Sequence, residues 1–338
     1  MYCSLPRVEI LGDLDVRVGP WDVDYGPEAP LEAQDEPASE EVALDIEMGA
    51  ADWRPIDPTP SAPPARLVFV DGVRRLEARL VVRRGERMFH GAFGSYGVGA
   101  VAVSAGVARH AEAHVERLAV VGGGESLPNP VTPMPGLTYQ PLSTADAEAD
   151  GSLRAIHNEM RRAEERLAHT VSDHEETVVV ADGPLTFEDP VRGAVVGYIK
   201  RLFKLYLPEG SQHVLARLTP GTRTPLFGLR ATRRFARYAW FTRLAPRQLS
   251  DSELSGVVRL EVSDSIGIDA ARRLADATAF LLPQFAPPRA RDPRSPQNLL
   301  PIGALEANLR RRLGDARLIR RHIETLMARG VQDAASTA

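Results

Sequence analysis

Asp71 follows the apolar run "RLVFV" and Asp182 follows "TVVVA", and a glycine stands directly after each. A carboxylate is a hard oxygen donor, and two of them at one sheet edge could hold a divalent cation for hydrolytic chemistry. Glycine beside each acid leaves room for a metal, a water or a phosphate close to the backbone. The plainer alternative is that Asp-Gly is a common turn dipeptide. Two copies, each closing a strongly apolar run, raise the weight of a shared site. A third carboxylate is sought in "NEMRRAEERLAH", which offers Glu159, Glu164 and Glu165. Glu164 stands one residue after Ala163 and three before Leu167, so it flanks the apolar stripe, while Glu165 points further round. Glutamate beside arginine on a helix is also the ordinary make-up of a solvated ion-pair face.

These residues need a sheet and a helix to bring them together. Residues 66–122 read as a meander of apolar runs broken by "RRGER" and glycine clusters. Residues 123–150 form a Pro/Ser/Thr/Asp-rich loop. From Ser152 to His169, Leu153, Ile156, Met160, Ala163 and Leu167 recur at three and four, which predicts a helix. "ETVVVADGPL" reads as a buried strand ending on Asp182-Gly183, and "AVVGYIKRL", "HVLARL", "RYAWFTRL" and "SGVVRLEV" read as further strands. "DAARRLADATAFLLPQF" is a helix that Pro283 ends, and "IGALEANLRRRLGDARLIRRHIETLMAR" is the closing helical region. The order implies a mixed α/β domain in which a meander precedes a helix and a central parallel strand. Both Asp-Gly strands are expected to end at their acids and to lie side by side.

The chain has 338 residues, 43% hydrophobic and 25% charged, as in ordinary globular proteins. It contains no apolar run long enough to span a membrane, and its first residues carry no basic-then-apolar leader, so a cytoplasmic location is expected. The single cysteine, Cys3, fits a reducing compartment and excludes a cysteine-based zinc site. Charge is unevenly spread: eleven acids and no Arg or Lys lie between Arg17 and Arg54, and eight Arg and no acid lie between Glu209 and Asp251. The acidic, Pro/Ala-rich residues 22–63 read as an arm, with 26–50 thinly packed, a short helix near Glu40–Met48, and Trp53 pinning its end. Such an arm could dock on a basic surface or simply solubilise the chain. The expected division is a segment 1–63, a catalytic domain 64–328 and a tail 329–338. In the basic stretch, Arg233, Arg234, Arg237 and Arg243 alternate with Phe235, Tyr238, Trp240 and Phe241. That suits a single nucleic-acid strand with stacked bases. It also describes an amphipathic strand with its aromatics in the core, the preferred reading for Trp240 and Phe241. His110 and His114, four apart, read as a surface pair.

Taken together, the motifs resemble the NurA nuclease family over about residues 50–325. "DWRPIDP" precedes the first Asp-Gly; "FVDGVRR" resembles the first acidic motif and "EMRRAEERLA" the helix carrying the family glutamate. "VVVADGPL" resembles the second aspartate motif, with Pro184 where serine is usual. "VGYIKR" resembles the following strand, whose lysine falls on Lys200, and "YAWFTRL" and "VVRLEV" resemble the later strands. "LLPIGALEANLRRR" resembles the closing motif. The resemblance implies an RNase H-like mixed sheet flanked by helices and metal-assisted phosphodiester hydrolysis. Asp71, Glu164 and Asp182 would hold Mn²⁺ or Mg²⁺. Lys200 would neutralise a phosphate, unless it is only a strand-end surface lysine. Arg74, Arg233, Arg234 and Arg237 would bind DNA. The resemblance also implies a homodimer acting beside a HerA-type hexameric ATPase in DNA end processing and repair.

One departure matters. The family's closing histidine falls on Asn308, expected to face Asp71 and Asp182, with Glu306 pointing elsewhere because two residues turn a helix by about 200°. Asparagine adds no charge and moves no proton near neutral pH. A non-catalytic DNA- or ATPase-binding relative is therefore the alternative. A phosphotransferase of the actin-like or sugar-kinase kind would need Gly-rich phosphate loops late in the chain, and residues 150–338 offer none.

Overall fold

The computed structural model describes residues 14–19, 41–59, 64–174, 176–185, 193–231, 234–249, 251–291 and 293–335. It is a mixed α/β protein built on one large mixed sheet. The first strands are β1 (Asp15–Val18) and β2 (Glu41–Ala43), then the long meander β3 (Arg66–Arg84), β4 (Arg87–Ser104) and β5 (Val107–Val121). Short strands β6 (Val131–Met134) and β7 (Leu137–Ser143) lead to helix α1 (Gly151–Ser172), then β8 (Thr177–Asp182) and β9 (Ala194–Ile199). Helix α2 (Glu209–Arg217) precedes β10 (Phe227–Ala231), β11 (Arg234–Arg243) and β12 (Val257–Ser263). Three helices close the chain: α3 (Ile268–Leu281), α4 (Leu300–Arg312) and α5 (Ala316–Ala335). The sheet order is β2-β10-β11-β12-β9-β8-β3-β4-β5-β7-β6, with β1 added along β3. The centre, β3-β8-β9, is parallel; the meander on one side and β12-β11-β10 on the other are antiparallel.

The central strands are apolar at successive positions because helices cover both faces. Val68, Val70, Val179 and Ala181 pack under Leu167 and Val171 of α1. Phe69, Val180, Val196 and Tyr198, one residue out of phase, pack with Ala271 and Ala275 of α3 and Ile302 of α4. Each strand thus presents alternate residues to opposite helices.

Several expectations change. β3 does not end at Asp71; it continues to Arg84, so Asp71-Gly72 sits inside a strand of 19 residues and is not a turn. "HVLARL" lies on helix α2 up to Arg217, with Leu218 as its C-cap, and Val214, Leu215 and Leu218 are buried. Six residues of that composition satisfy either period. Instead of a helix near Glu40–Met48, Glu41–Ala43 is a strand on β10. Trp53 is buried, its ring centroid 6.2 Å from that of Phe227, and residues 26–40 of the acidic arm lie outside the described residues. α5 runs on through the expected tail to Ala335.

The basic stretch does not form one open face. Arg223 is buried and reaches both oxygens of Glu47 at 2.8 and 2.9 Å and Asp276 at 2.6 Å. Arg243 is buried and donates to the carbonyls of Leu215, Leu218, Glu253 and Ser255. Among the described residues, no helix is long and apolar enough to cross a membrane.

Candidate metal centre

Val70 stands beside Ala181 in the parallel β3–β8 ladder, so the next residues, Asp71 and Asp182, are neighbours on adjacent strands. By alternation they share the face of Phe69 and Val180, the one covered by α3 and α4. Lys200, two residues after Tyr198, falls on that face as well. From above, α4 brings Glu306. Ile302, Leu305 and Leu309 of α4 are fully buried, and Glu306 lies four after the first and three before the last, on the same stripe. One carboxylate oxygen from each of Asp71, Asp182 and Glu306 lies within 4.8 Å of the others.

Asn308 does not face this cluster. It lies round α4 from Glu306, and its Oδ1 accepts a hydrogen bond from Arg312 Nε at 2.9 Å. Residues 306 and 308 do point apart, and the buried stripe selects Glu306 as the inward one. The inward place expected for Asn308 is taken by Glu306, two residues earlier.

Glu164 reaches the same cavity from the opposite face. It is buried on α1, and the gap that admits it is Gly72. A Cβ at position 72 would lie 2.5 Å from Glu164 Oε1 and 2.9 Å from Met160 Cγ. Glu165 instead points toward His169, 3.9 Å away. Arg161 ties these parts together: it donates to Glu164 Oε2 at 2.5 Å, to the Asp182 carbonyl at 2.8 Å and to the Pro184 carbonyl at 2.6 Å. Gly183 between them has φ +93°, a left-handed conformation that glycine adopts freely.

The acids carry strong local fields. Lys200 Nζ is 2.6 Å from Asp182 Oδ2, 3.7 Å from Glu306 Oε1 and 3.0 Å from Asn298 Oδ1. Glu306 also takes two hydrogen bonds from Arg294 Nη1, at 2.9 and 2.8 Å. Burial, and then the Asp182, Glu164 and Glu306 carboxylates, push the Asp71 carboxyl well above its usual range, opposed by Lys200. Burial pulls the Lys200 ammonium down, but Asp182, Asp71 and Glu306 outweigh it and hold it above the ordinary lysine range. Asp71 Oδ1 accepts from the Gly72 N–H at 2.8 Å, while Asp71 Oδ2 and Asp182 Oδ1 are buried with no hydrogen-bond partner among the described residues. Orphaned carboxylate oxygens facing a cluster of acids are what a hard divalent cation requires. The cavity around them measures about 650 Å³, and Arg74 and Arg310 contribute to its wall.

The other expected DNA-contacting arginines fall elsewhere. Arg233 lies outside the described residues, and Arg234 is described only as the first residue of β11. Arg237 is buried and pairs with Glu261 at 3.1 Å. Glu261 in turn accepts from the Leu185 N–H at 2.7 Å, so Arg237 supports the turn after Asp182 from inside the sheet.

No protein-family model matches the chain, and no curated protein sequence matches it significantly. Among solved structures, the chain is similar to the NurA nuclease from Sulfolobus solfataricus, at 12% identity over 83% of this chain and 88% of that one, with TM-score 0.46. It is also similar to a NurA structure with manganese, at 17% identity over 40% of this chain and 23% of that one, with TM-score 0.20. A NurA structure bound to dAMP and manganese aligns at 17% identity over 42% and 24%, again with TM-score 0.20. Likenesses this distant carry no function across, and the site is read from its own residues.

Proposed function

We propose that the chain is a divalent-metal-dependent nuclease of the NurA kind. The carrying observation is the convergence of Asp71, Asp182 and Glu306 on one cavity, with two buried carboxylate oxygens lacking partners. The strand order β5-β4-β3-β8-β9, with its antiparallel meander and parallel β3-β8-β9, supports an RNase H-like core. Asp71, Asp182 and Glu306 would hold the ion, Mn²⁺ or Mg²⁺, and Glu164 would add a fourth carboxylate from the other side of the sheet. When bound, such an ion activates water and stabilises charge on the phosphoryl oxygens. Lys200, paired with Asp182, neutralises an entering phosphate. Arg74, half-exposed on the cavity wall, contacts the phosphate next along the strand. Arg161 positions Glu164 and the Asp182 turn.

The substrate in this reading is DNA, processed at ends during repair in the cytoplasm by a homodimer beside a HerA-like hexameric ATPase; the motif resemblance supports these points. The non-catalytic alternative was motivated by Asn308, and it weakens because Glu306 supplies the inward ligand from the same helix. The test is cleavage of 5′-labelled single-stranded DNA by the purified chain with Mn²⁺. Cleavage should vanish with EDTA and in Asp71→Ala and Asp182→Ala. Cleavage surviving in both variants, or none by the unaltered chain, overturns the proposal.

A further inference from the structure

Phe203, three residues beyond Lys200, is 49% exposed and lines both the acid cavity and a second one of about 630 Å³. The second cavity is lined by Val42 and Leu44, residues 204–208 and Gln212, with no acid among the described residues of its wall. The Tyr206 ring is already engaged: Lys204 Nζ lies 4.6 Å and Arg259 Cζ 4.7 Å from its centroid. Tyr206 holds φ +63°, a strained conformation for a residue with a side chain. Tyr206 is buried, and Phe203 is an exposed ring lining both cavities.

We propose that the second cavity is a nucleobase site, with Phe203 as its stacking platform. The inference rests on the nuclease reading for the strand's phosphate, and adds where a base of that strand goes. Sites for single strands combine cationic groups that track the backbone with aromatic rings that stack bases of any sequence. Here the order along the surface is acids, Lys200, Phe203, then an acid-free cavity edged by Lys204. A base reaches Phe203 only after leaving a duplex stack, which carries an energetic cost. The site therefore makes the enzyme favour single strands or frayed ends. A hydrophobic side chain of a protein partner fits less well, because the exposed Phe203 ring also lines the acid cavity and Lys204 and Gln212 edge the second one.

The experiment measures binding of oligothymidylate 12-mers, intact or with one abasic site at each position in turn, to full-length Asp71→Asn protein in Mn²⁺. Phe203→Ala should weaken binding of the intact strand about 5- to 150-fold, the range that loss of one stacked base produces, and Phe203→Trp should restore it. One abasic position should mimic Phe203→Ala and have no further effect in that variant. Binding of a blunt hairpin duplex should be unchanged. Equal affinity of Phe203 and Phe203→Ala proteins for every strand, or losses spread evenly over all abasic positions, would overturn the base site. If the unaltered chain still cleaves DNA in that event, the nuclease reading stands alone. If Phe203 governs strand binding but no cleavage occurs, the base site stands and the nuclease reading falls.

Discussion

Lys200→Met removes the ammonium that neutralises the acid cluster and leaves a side chain of similar length. The pair it breaks is close, 2.6 Å to Asp182. Removing one partner of a buried ion pair costs about 3–5 kcal/mol. The cavity opens to water, so the low end, about 3 kcal/mol, applies here. For a chain of 338 residues the unfolding entropy near the midpoint is about 0.7 kcal/mol/K, at roughly 2.1 cal/mol/K per residue. The metal-free melting temperature should therefore fall by about 4 °C. A divalent ion should reverse this. The ammonium beside these carboxylates would also repel a divalent cation: a +1 and a +2 charge about 5 Å apart repel by about 1.7 kcal/mol even at the dielectric of water. Ion affinity in Lys200→Met should rise about tenfold or more. The assay is a pair of thermal melts, in EDTA and in a series of Mn²⁺ concentrations. The variant should melt lower in EDTA and gain more from Mn²⁺ than the unaltered protein. Equal melting in EDTA, or equal Mn²⁺ increments, would refute Lys200 as the built-in counter-ion of a cation site.

Glu306→Gln should lower Mn²⁺ affinity at least about 100-fold, beyond the usual effect of losing an outer-shell group; Asn308→His should leave it unchanged, and calorimetric titration of both reads the difference. Gly72→Ala should push Glu164 and Met160 aside and cut strand cleavage about 100-fold, the scale of a 1 Å misplacement, while circular dichroism stays native; full activity would show that Glu164 is not held through that gap. Metal binding should weaken as pH falls, because the raised Asp71 carboxyl must lose its proton to bind an ion; a Mn²⁺ affinity independent of pH would count against Asp71 as a ligand. Burial pushes the Glu77 carboxyl from 4.5 up to about 6, against the pull of Ser95, Arg75 and Arg117. Between those values the folded state keeps a proton that the unfolded chain has released, so stability falls as pH rises from 4.5 to 6, by about 2 kcal/mol. Glu77→Gln should remove that decline in denaturant titrations; an identical decline in both proteins would assign it elsewhere.

The two aspartates were legible because each follows an apolar run suited to a strand buried on both faces, and such strands pair in parallel. What lay hidden was that β3 continues: Asp-Gly reads as a turn locally, whereas here Gly72 is the opening through which α1 delivers Glu164. Glu306 was visible in the stripe Ile302, Leu305, Leu309, and was set aside because the motif drew attention to Asn308. The buried arginines were not legible from their own neighbourhood. Arg223 finds its acid at Glu47, and Arg237 finds its acid at Glu261 on the adjacent strand. A charge run shows its sign in the sequence but not its partners. The helix at "HVLARL" was ambiguous because so short an apolar pattern fits two periods.

Anomalous diffraction from crystals grown with Mn²⁺ tests the central claim most directly, because it locates the ion itself. The expected result is a manganese peak bounded by Asp71 Oδ2, Asp182 Oδ1 and a Glu306 oxygen, lost in Asp182→Asn crystals. No peak among those carboxylates at saturating Mn²⁺, or a peak elsewhere that supports DNA cleavage with Asp182 replaced, would contradict it.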